Sequence, residues 1–427
     1  NLSNKTSSTT ANRDSFLGLA ILFTYCLFAF GSTFSIALAQ MSLGLSAALF
    51  VATCFITRHN PFSGQLKPFY VAMGALVGWK VFTALVCPDT LGAFNAMRED
   101  WLYLAVPIGV WLLQKESYRR YILTALIVGV ALVSLYAFFQ NATGYEYRGK
   151  ALSPAPDYGY RVIGTFPHPL TFGNYYAVVA MTFLGAGIVA IRNSLVLWRT
   201  ILVVVALLAA VASGLSYSRG SLIAMVPGII AGCWLLAKYR ARWIAVALVV
   251  VAGGFVATHP GVIFRMSTEI VSDRSEGNVM GRPFIWTHSL EVIGDHLLFG
   301  TGPGQFKESY VTTLPPNTIE RAHHSHAHND LLMVTAESGI IGAGLFALLW
   351  LTLIRLTIKG IKSVPSFDYI LPVGALFGIG AFLVTGLTEA TFFDEEVRQM
   401  LMLVWAFGLW PLGSASATNP KLGGKSS

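Results

Sequence analysis

The chain has 427 residues, 54% of them apolar and only 12% charged, roughly half the charged fraction of an ordinary soluble protein. Mean hydropathy is +0.61, with 28 Phe, 16 Tyr and 10 Trp, which excludes a disordered chain, and four Cys are too few for a disulfide scaffold. A polytopic membrane protein remains, and the net charge of +8 has to be explained by where the charges sit.

Stretches of about 17–25 apolar residues cross the ~30 Å hydrocarbon layer as helices, because backbone polar groups in lipid must be satisfied within the segment. In chain order the sequence predicts about twelve, at 15–36, 38–57, 68–87, 100–114, 118–140, 170–191, 198–214, 219–237, 242–258, 329–354, 368–388 and 397–413. The expected fold is an all-α integral membrane protein whose largest connection lies between spans 9 and 10. Its expected parts are a cytoplasmic N-terminal tail 1–14, a membrane domain 15–258 with spans 1–9, and a large outer loop 259–328. Spans 10–12 over 329–413 and a cytoplasmic tail 414–427 follow. The polar start, Asn1 to Asp14, lacks the basic, apolar, small-residue order of a cleaved signal, so the first span is expected to be retained.

Orientation follows from the basic residues of the connections. With the N-terminus inside, 17 of the 29 Lys and Arg fall on the inner side, whereas only Asp14, Glu116 and Asp368 of the 21 acids do. The basic balance therefore reflects topology, and nucleic-acid binding has no support. Three outer connections are long enough to hold chemistry: 87–99, 141–169 and, largest, 258–328. Eight of the nine His lie outside, His59 being the exception. The run Gly300-Thr-Gly-Pro-Gly-Gln-Phe306 lacks the following Lys-Ser/Thr of a nucleotide loop and reads as a turn.

The outer loops carry the polar residues of interest. In Arg321-Ala-His323-His324-Ser-His326-Ala-His328-Asn329-Asp330, the i, i+2, i+4 spacing of His324, His326 and His328 suits one face of a strand and a metal. The same tract offers an imidazole that titrates near neutrality as a general base. A solvated loop, with Asn329 and Asp330 capping the next helix, is the third reading. Arg161, Arg219, Arg265 and Arg282 are the outer arginines; a planar, permanently charged fork matches phosphate oxygens, and the alternative for each is a local ion pair or snorkelling. Lys80 is the one cation inside a span and faces either a cavity or partner, or reaches up to the headgroups. The carboxylates Glu389, Asp394, Glu395 and Glu396 read as a solvated loop, and His288 and His296 as structural residues of an amphipathic surface helix, 284–298.

The chain resembles the O-antigen ligase and polymerase superfamily of bacterial envelope glycosyltransferases. Four features carry the resemblance: Ser218-Arg219-Gly220; Arg282 with Trp286 at i+4; the Gly300–Phe306 run; and His328-Asn329 followed, nine residues on, by Gly339-Ile-Ile-Gly342. It implies a GT-C-type, inverting, metal-independent enzyme without cofactor, in the bacterial inner membrane with its active site facing the periplasm. Such an enzyme transfers O-antigen from undecaprenyl diphosphate to the lipid A–core oligosaccharide. By resemblance His328 is the catalytic His and Arg219 and Arg282 are the essential cations. Arg161, Arg265, Lys80 and Asn329 are expected to bind the diphosphate or substrate. An O-antigen polymerase or a protein O-oligosaccharyltransferase uses the same donor. A secondary transporter is the alternative of another class, against which stand the lack of a half-to-half repeat and the one-sided polar chemistry.

Overall fold

The structure, a computed structural model, describes residues 2–155, 159–192, 196–237, 254, 281–316, 318, 326–365 and 368–416. The predicted ninth span, 242–258, lies outside the described residues save Gly254, as does 259–280 of the large loop. The described elements are helical, apart from an isolated bridge between Pro154 and Tyr160. They run α1 (Leu2–Gly31), α2 (Ile36–Thr57), α3 (Lys67–Val86), α4 (Thr90–Ala96), α5 (Ala105–Leu112), α6 (Glu116–Thr143), α7 (Pro169–Arg192), α8 (Val196–Gly214) and α9 (Arg219–Ala237). After these come α10 (Arg282–Asp295), α11 (Phe306–Thr313), α12 (Asp330–Ser363), α13 (Ile370–Thr385) and α14 (Glu395–Leu409).

Among the described residues, seven helices are long and apolar enough to cross a membrane: α2, α3 with the turn before it, α6, α7, α8, α9 and α12. Shorter apolar helices fill Phe16–Gly31 and Ile370–Thr385. The stretch expected as span 4 differs from the expectation. Its first part, Met97–Leu104, winds as a 3₁₀ helix, and α5 adds only eight residues. The polar Arg-Glu-Asp at its start explains this: Asp100 is drawn inward to Lys80 and Arg398, and the chain bends to deliver it.

Two helices form the centre. Every side chain from Thr171 to Ala190 on α7, and from Glu396 to Leu412 through α14, is buried. The surrounding helices bury only about a third to under half of their apolar windows. They present side chains such as Phe55 at 81% exposure and Met41 at 76%. An apolar surface of that extent is unfavourable in water and ordinary against lipid tails.

One irregularity positions the site. Helix α12 is broken at Gly339, whose φ of 67° and ψ of −175° belong to a region open to glycine alone. A Cβ there would lie 2.2 Å from the Leu298 carbonyl oxygen. The Gly300–Gly304 turn lies in the break and repairs it: Thr301 N–H donates to Ala336 O, Gly302 N–H to Glu337 O, both at 2.9 Å, and Gly304 N–H to the Glu337 carboxylate at 2.8 Å. Ile340 N–H returns to Leu297 O at 2.9 Å, and the Trp79 indole N–H caps Ser338 O at 2.7 Å. Backbone freed by a broken helix at membrane depth must find partners within the protein, and the glycine-rich run supplies them. The turn and the glycine pair of α12 are thus one device, holding residues 330–338 as a separate piece ahead of the longer apolar helix.

Candidate functional site

The site is built at the start of α12. Asn329 caps the helix, accepting from Leu332 N–H at 3.0 Å while its own amide donates to Leu387 O at 3.0 Å. Asp330 is buried and stitches the helix to the turn after α13. Its N–H donates to Gly386 O at 2.7 Å, and its carboxylate accepts from Phe392 N–H at 2.8 Å and the Thr391 hydroxyl at 3.1 Å. Gly386 has no room for a Cβ, which would meet Asp330 Oδ2 at 2.3 Å. These bonds bring the residue before the cap, His328, against a residue of the stitched turn, Glu389.

The contact is direct. His328 Nδ1 lies 2.7 Å from Glu389 Oε2, and the other carboxylate oxygen holds Arg282 at 2.5 Å. A carboxylate only accepts, so Nδ1 carries a proton, and in the neutral ring the lone pair is on Nε2. Arg282 is the first residue of α10. One helical turn on, the Trp286 indole donates to Ala327 O at 3.1 Å, so the i+4 pair grips both Glu389 and the backbone just before His328. His328 itself has φ +48°, a left-handed conformation that costs a non-glycine residue on the order of 1 kcal/mol or more and clusters at functional positions.

Glu389 is the residue that sequence reasoning missed. It was expected in a solvated acidic loop; instead it is buried, as is Glu396, with Asp394 and Glu395 half-buried. Burial pushes the Glu389 carboxyl up, but the His328 hydrogen bond and charge, with Arg282, outweigh it and hold the carboxyl below its ordinary value. Asp394, which accepts from the Thr171 hydroxyl at 3.2 Å, is pushed up to about 7 by burial and by the neighbouring Glu396. The available signal was local: Glu389 stands among Thr388, Ala390, Thr391 and Phe392, apart from the continuous acidic run 394–396.

The other expected residues fall as follows. Gly220, beside Arg219 at the start of α9, faces Thr388, whose hydroxyl would be 2.4 Å from a Cβ. Ser218-Arg219-Gly220 is therefore packed on the residue preceding Glu389. Arg161 donates from Nε to Ser216 O at 2.7 Å, tying its loop to the turn before Arg219. His168, also missed, lies in the electric field of the same cluster; partial burial, then Arg161, lowers its pKa, while Glu389 raises it. Lys80 is held by Asp100 at 2.5 Å, and Arg398 binds the other oxygen of Asp100 at 3.1 Å. His288 is 3.0 Å from Glu291 on its own helix. Arg265, His323 and His324 lie outside the described residues. The ring of His326 stands edge-on to His328 at 4.2 Å, and no cluster of three metal-ligating side chains occurs among the described residues.

Near Gly220, Asn174 on α7 is fully buried, and neither its amide atoms nor the Ser218 hydroxyl has a hydrogen-bond partner among the described residues. Buried polar groups without partners are uncommon in folded proteins. Chemically, the arrangement offers a base oriented by a carboxylate, with at least one fixed guanidinium beside it.

Residues 202–347 match the family model described as O-antigen ligase. The matched stretch runs from α8 into α12 and contains Arg219, Arg282 and His328, whereas Arg161 and Glu389 fall outside it. No curated protein matches the chain.

Proposed function

We propose, for a chain whose residues 202–347 match the O-antigen ligase family model, that it is an inverting glycosyltransferase of the GT-C type. It moves O-antigen from undecaprenyl diphosphate to the lipid A–core oligosaccharide at the periplasmic face of the inner membrane. The single observation that carries the reading is the hydrogen-bonded set His328–Glu389–Arg282 at the head of α12.

The acceptor sugar hydroxyl is a poor nucleophile until its proton is taken. His328 Nε2 accepts that proton as the bond to the anomeric carbon forms, provided it is ~3 Å from the oxygen. Glu389 fixes the ring and its tautomer through Nδ1 and stabilises the imidazolium that results, as the carboxylate does in hydrolase triads. The diphosphate gains charge as it leaves. Arg219 is assigned to that charge, with Arg161 and Arg265 as further contacts, while Arg282 divides its role between Glu389 and the diphosphate. Attack and departure on opposite sides of the anomeric carbon invert it. The bond to diphosphate supplies the driving force, so no nucleotide is needed. Lys80, matched by Asp100, serves the frame around the site.

The test uses purified enzyme, lipid-linked donor and lipid acceptor. His328→Ala should lose about 10³-fold in transfer while still retaining donor. Transfer by His328→Ala near the normal rate, or chelator inactivation reversed by a divalent metal, contradicts the assignment. Incubation with donor alone separates ligase from polymerase, since a polymerase lengthens the glycan without core acceptor.

A further inference from the structure

The end of the molecule away from Glu389 holds a cavity that this chemistry does not use. Helix α6 has 28 residues, so Lys115 at its start is about 42 Å from the loop after Thr143 that leads toward the site. There a cavity of about 660 Å³ opens between the connections that follow α2, α5 and α12, against Trp410. These connections were all expected on the inner side, and the structure gathers them at one end.

The charges lining it are unbalanced. Asp368 is the carboxylate of the lining, and Arg119 already occupies it at 2.9 Å. The Arg119 guanidinium is held rigid by that pair, by Leu113 O at 3.0 Å and by the face of Trp410 at 4.2 Å. Lys115 has no carboxylate partner among the described residues; its ammonium meets the Tyr118 hydroxyl at 3.4 Å and lies 4.7 Å from that ring. A net positive charge therefore remains on a cavity lined also by Trp111 and Trp410 and by the polar side chains of His59, Asn60 and Gln114. The volume far exceeds that of a simple anion, so its occupant has a body as well as a charge.

We propose that this cavity binds a phosphate-bearing ligand, with Lys115 as the main charge contact and the pre-positioned Arg119 as the second. The phosphate belongs either to the headgroup of an anionic phospholipid or to a soluble compound. Basic pockets between membrane helices take such headgroups because a low-dielectric wall strengthens the ion contact. The inference is independent of the transfer reaction at the other end.

The purified full chain in detergent tests it. Native mass spectrometry follows retention of phosphatidylglycerol against phosphatidylcholine, and a melting assay follows inorganic phosphate against chloride at equal ionic strength. Lys115→Gln should reduce phosphatidylglycerol retention about fivefold, with Lys115→Arg near normal and Lys307→Gln, on α11 against the head of α12, unchanged. If instead inorganic phosphate, standing for the charged part of a soluble ligand, raises the melting temperature of the native chain and not of Lys115→Gln, the ligand is a soluble phosphate compound. Equal behaviour of Lys115→Gln and Lys307→Gln in both assays overturns the proposal. Because Lys115→Arg keeps the charge, loss in both Lys115 variants alike also overturns it.

Discussion

Asp100 and Glu389 each hold two basic side chains, one on each carboxylate oxygen, yet their settings differ. Lys80 and Arg398 around Asp100 are 14% and 5% exposed, whereas Arg282 and His328 around Glu389 are 21% and 22% exposed. The first set closes on itself: Arg398 also donates to Phe392 O at 2.8 Å and lies over the Phe392 ring at 5.0 Å. The set ties α3, the Met97–Leu104 turn and α14 together. The second set sits at a helix start and includes an imidazole, on a residue whose backbone is left-handed. The same pairing rule thus yields a brace where both partners are basic side chains enclosed by the fold, and a candidate proton acceptor where one is an imidazole and partly open.

Substitutions can break this contrast in a graded way. The largest effect is that of His328→Ala, about 10³-fold in transfer, with the melting temperature nearly unchanged; a large drop in melting temperature makes His328 a brace like Asp100. Asp100→Asn comes next and acts on the fold: it leaves the buried Arg398 and the half-buried Lys80 uncompensated, at about 3 kcal/mol, read as a large fall in thermal stability in detergent. A stable Asp100→Asn chain with impaired transfer would reverse the roles drawn here.

Glu389→Gln keeps an acceptor for His328 but loses the charge, and transfer should fall about 100-fold, read as kcat with KM for donor less affected. Normal kcat in this variant removes Glu389 from the reaction. The pH dependence carries a sign as well. The Glu389 carboxyl is held below its ordinary 4.5, so its pairing stabilises the fold above that pH and the stabilisation fades as pH falls through the lower folded value. Native chain should therefore lose more stability than Glu389→Gln on acidification below about 4.5, and parallel curves would refute the assignment. The smallest effect is Gly339→Ala, about 2 kcal/mol from the glycine-only conformation, seen as a modest melting shift. An unchanged melting temperature would mean that the break in α12 is not held in the form described.

The apolar helical character and most of the helix ends were legible from residue order, because apolar length is a property of the chain itself. The His328-Asn329 pair and the glycines after it were legible for a related reason: a helix cap and a turn are local demands. Glu389 was not. Its pairing with His328 depends on Asp330 reaching Thr391, 61 residues along the chain in the turn after α13, which no local pattern records. Lys80 was visible as a buried cation, but its partner lay 20 residues away, in a segment read as a straight span.

Composition, charge asymmetry and the short motifs set the class of protein, the expected side of each loop and the outer residues worth testing. They do so because lipid penalises an unsatisfied backbone and an unpaired charge wherever these occur in the chain. Which carboxylate meets which base was settled by folding alone. A buried acid is tolerated only beside donors; here the acid of the turn after α13 meets donors from α10 and from the residue ahead of the α12 cap, three segments that packing, and not sequence proximity, brings within 3 Å.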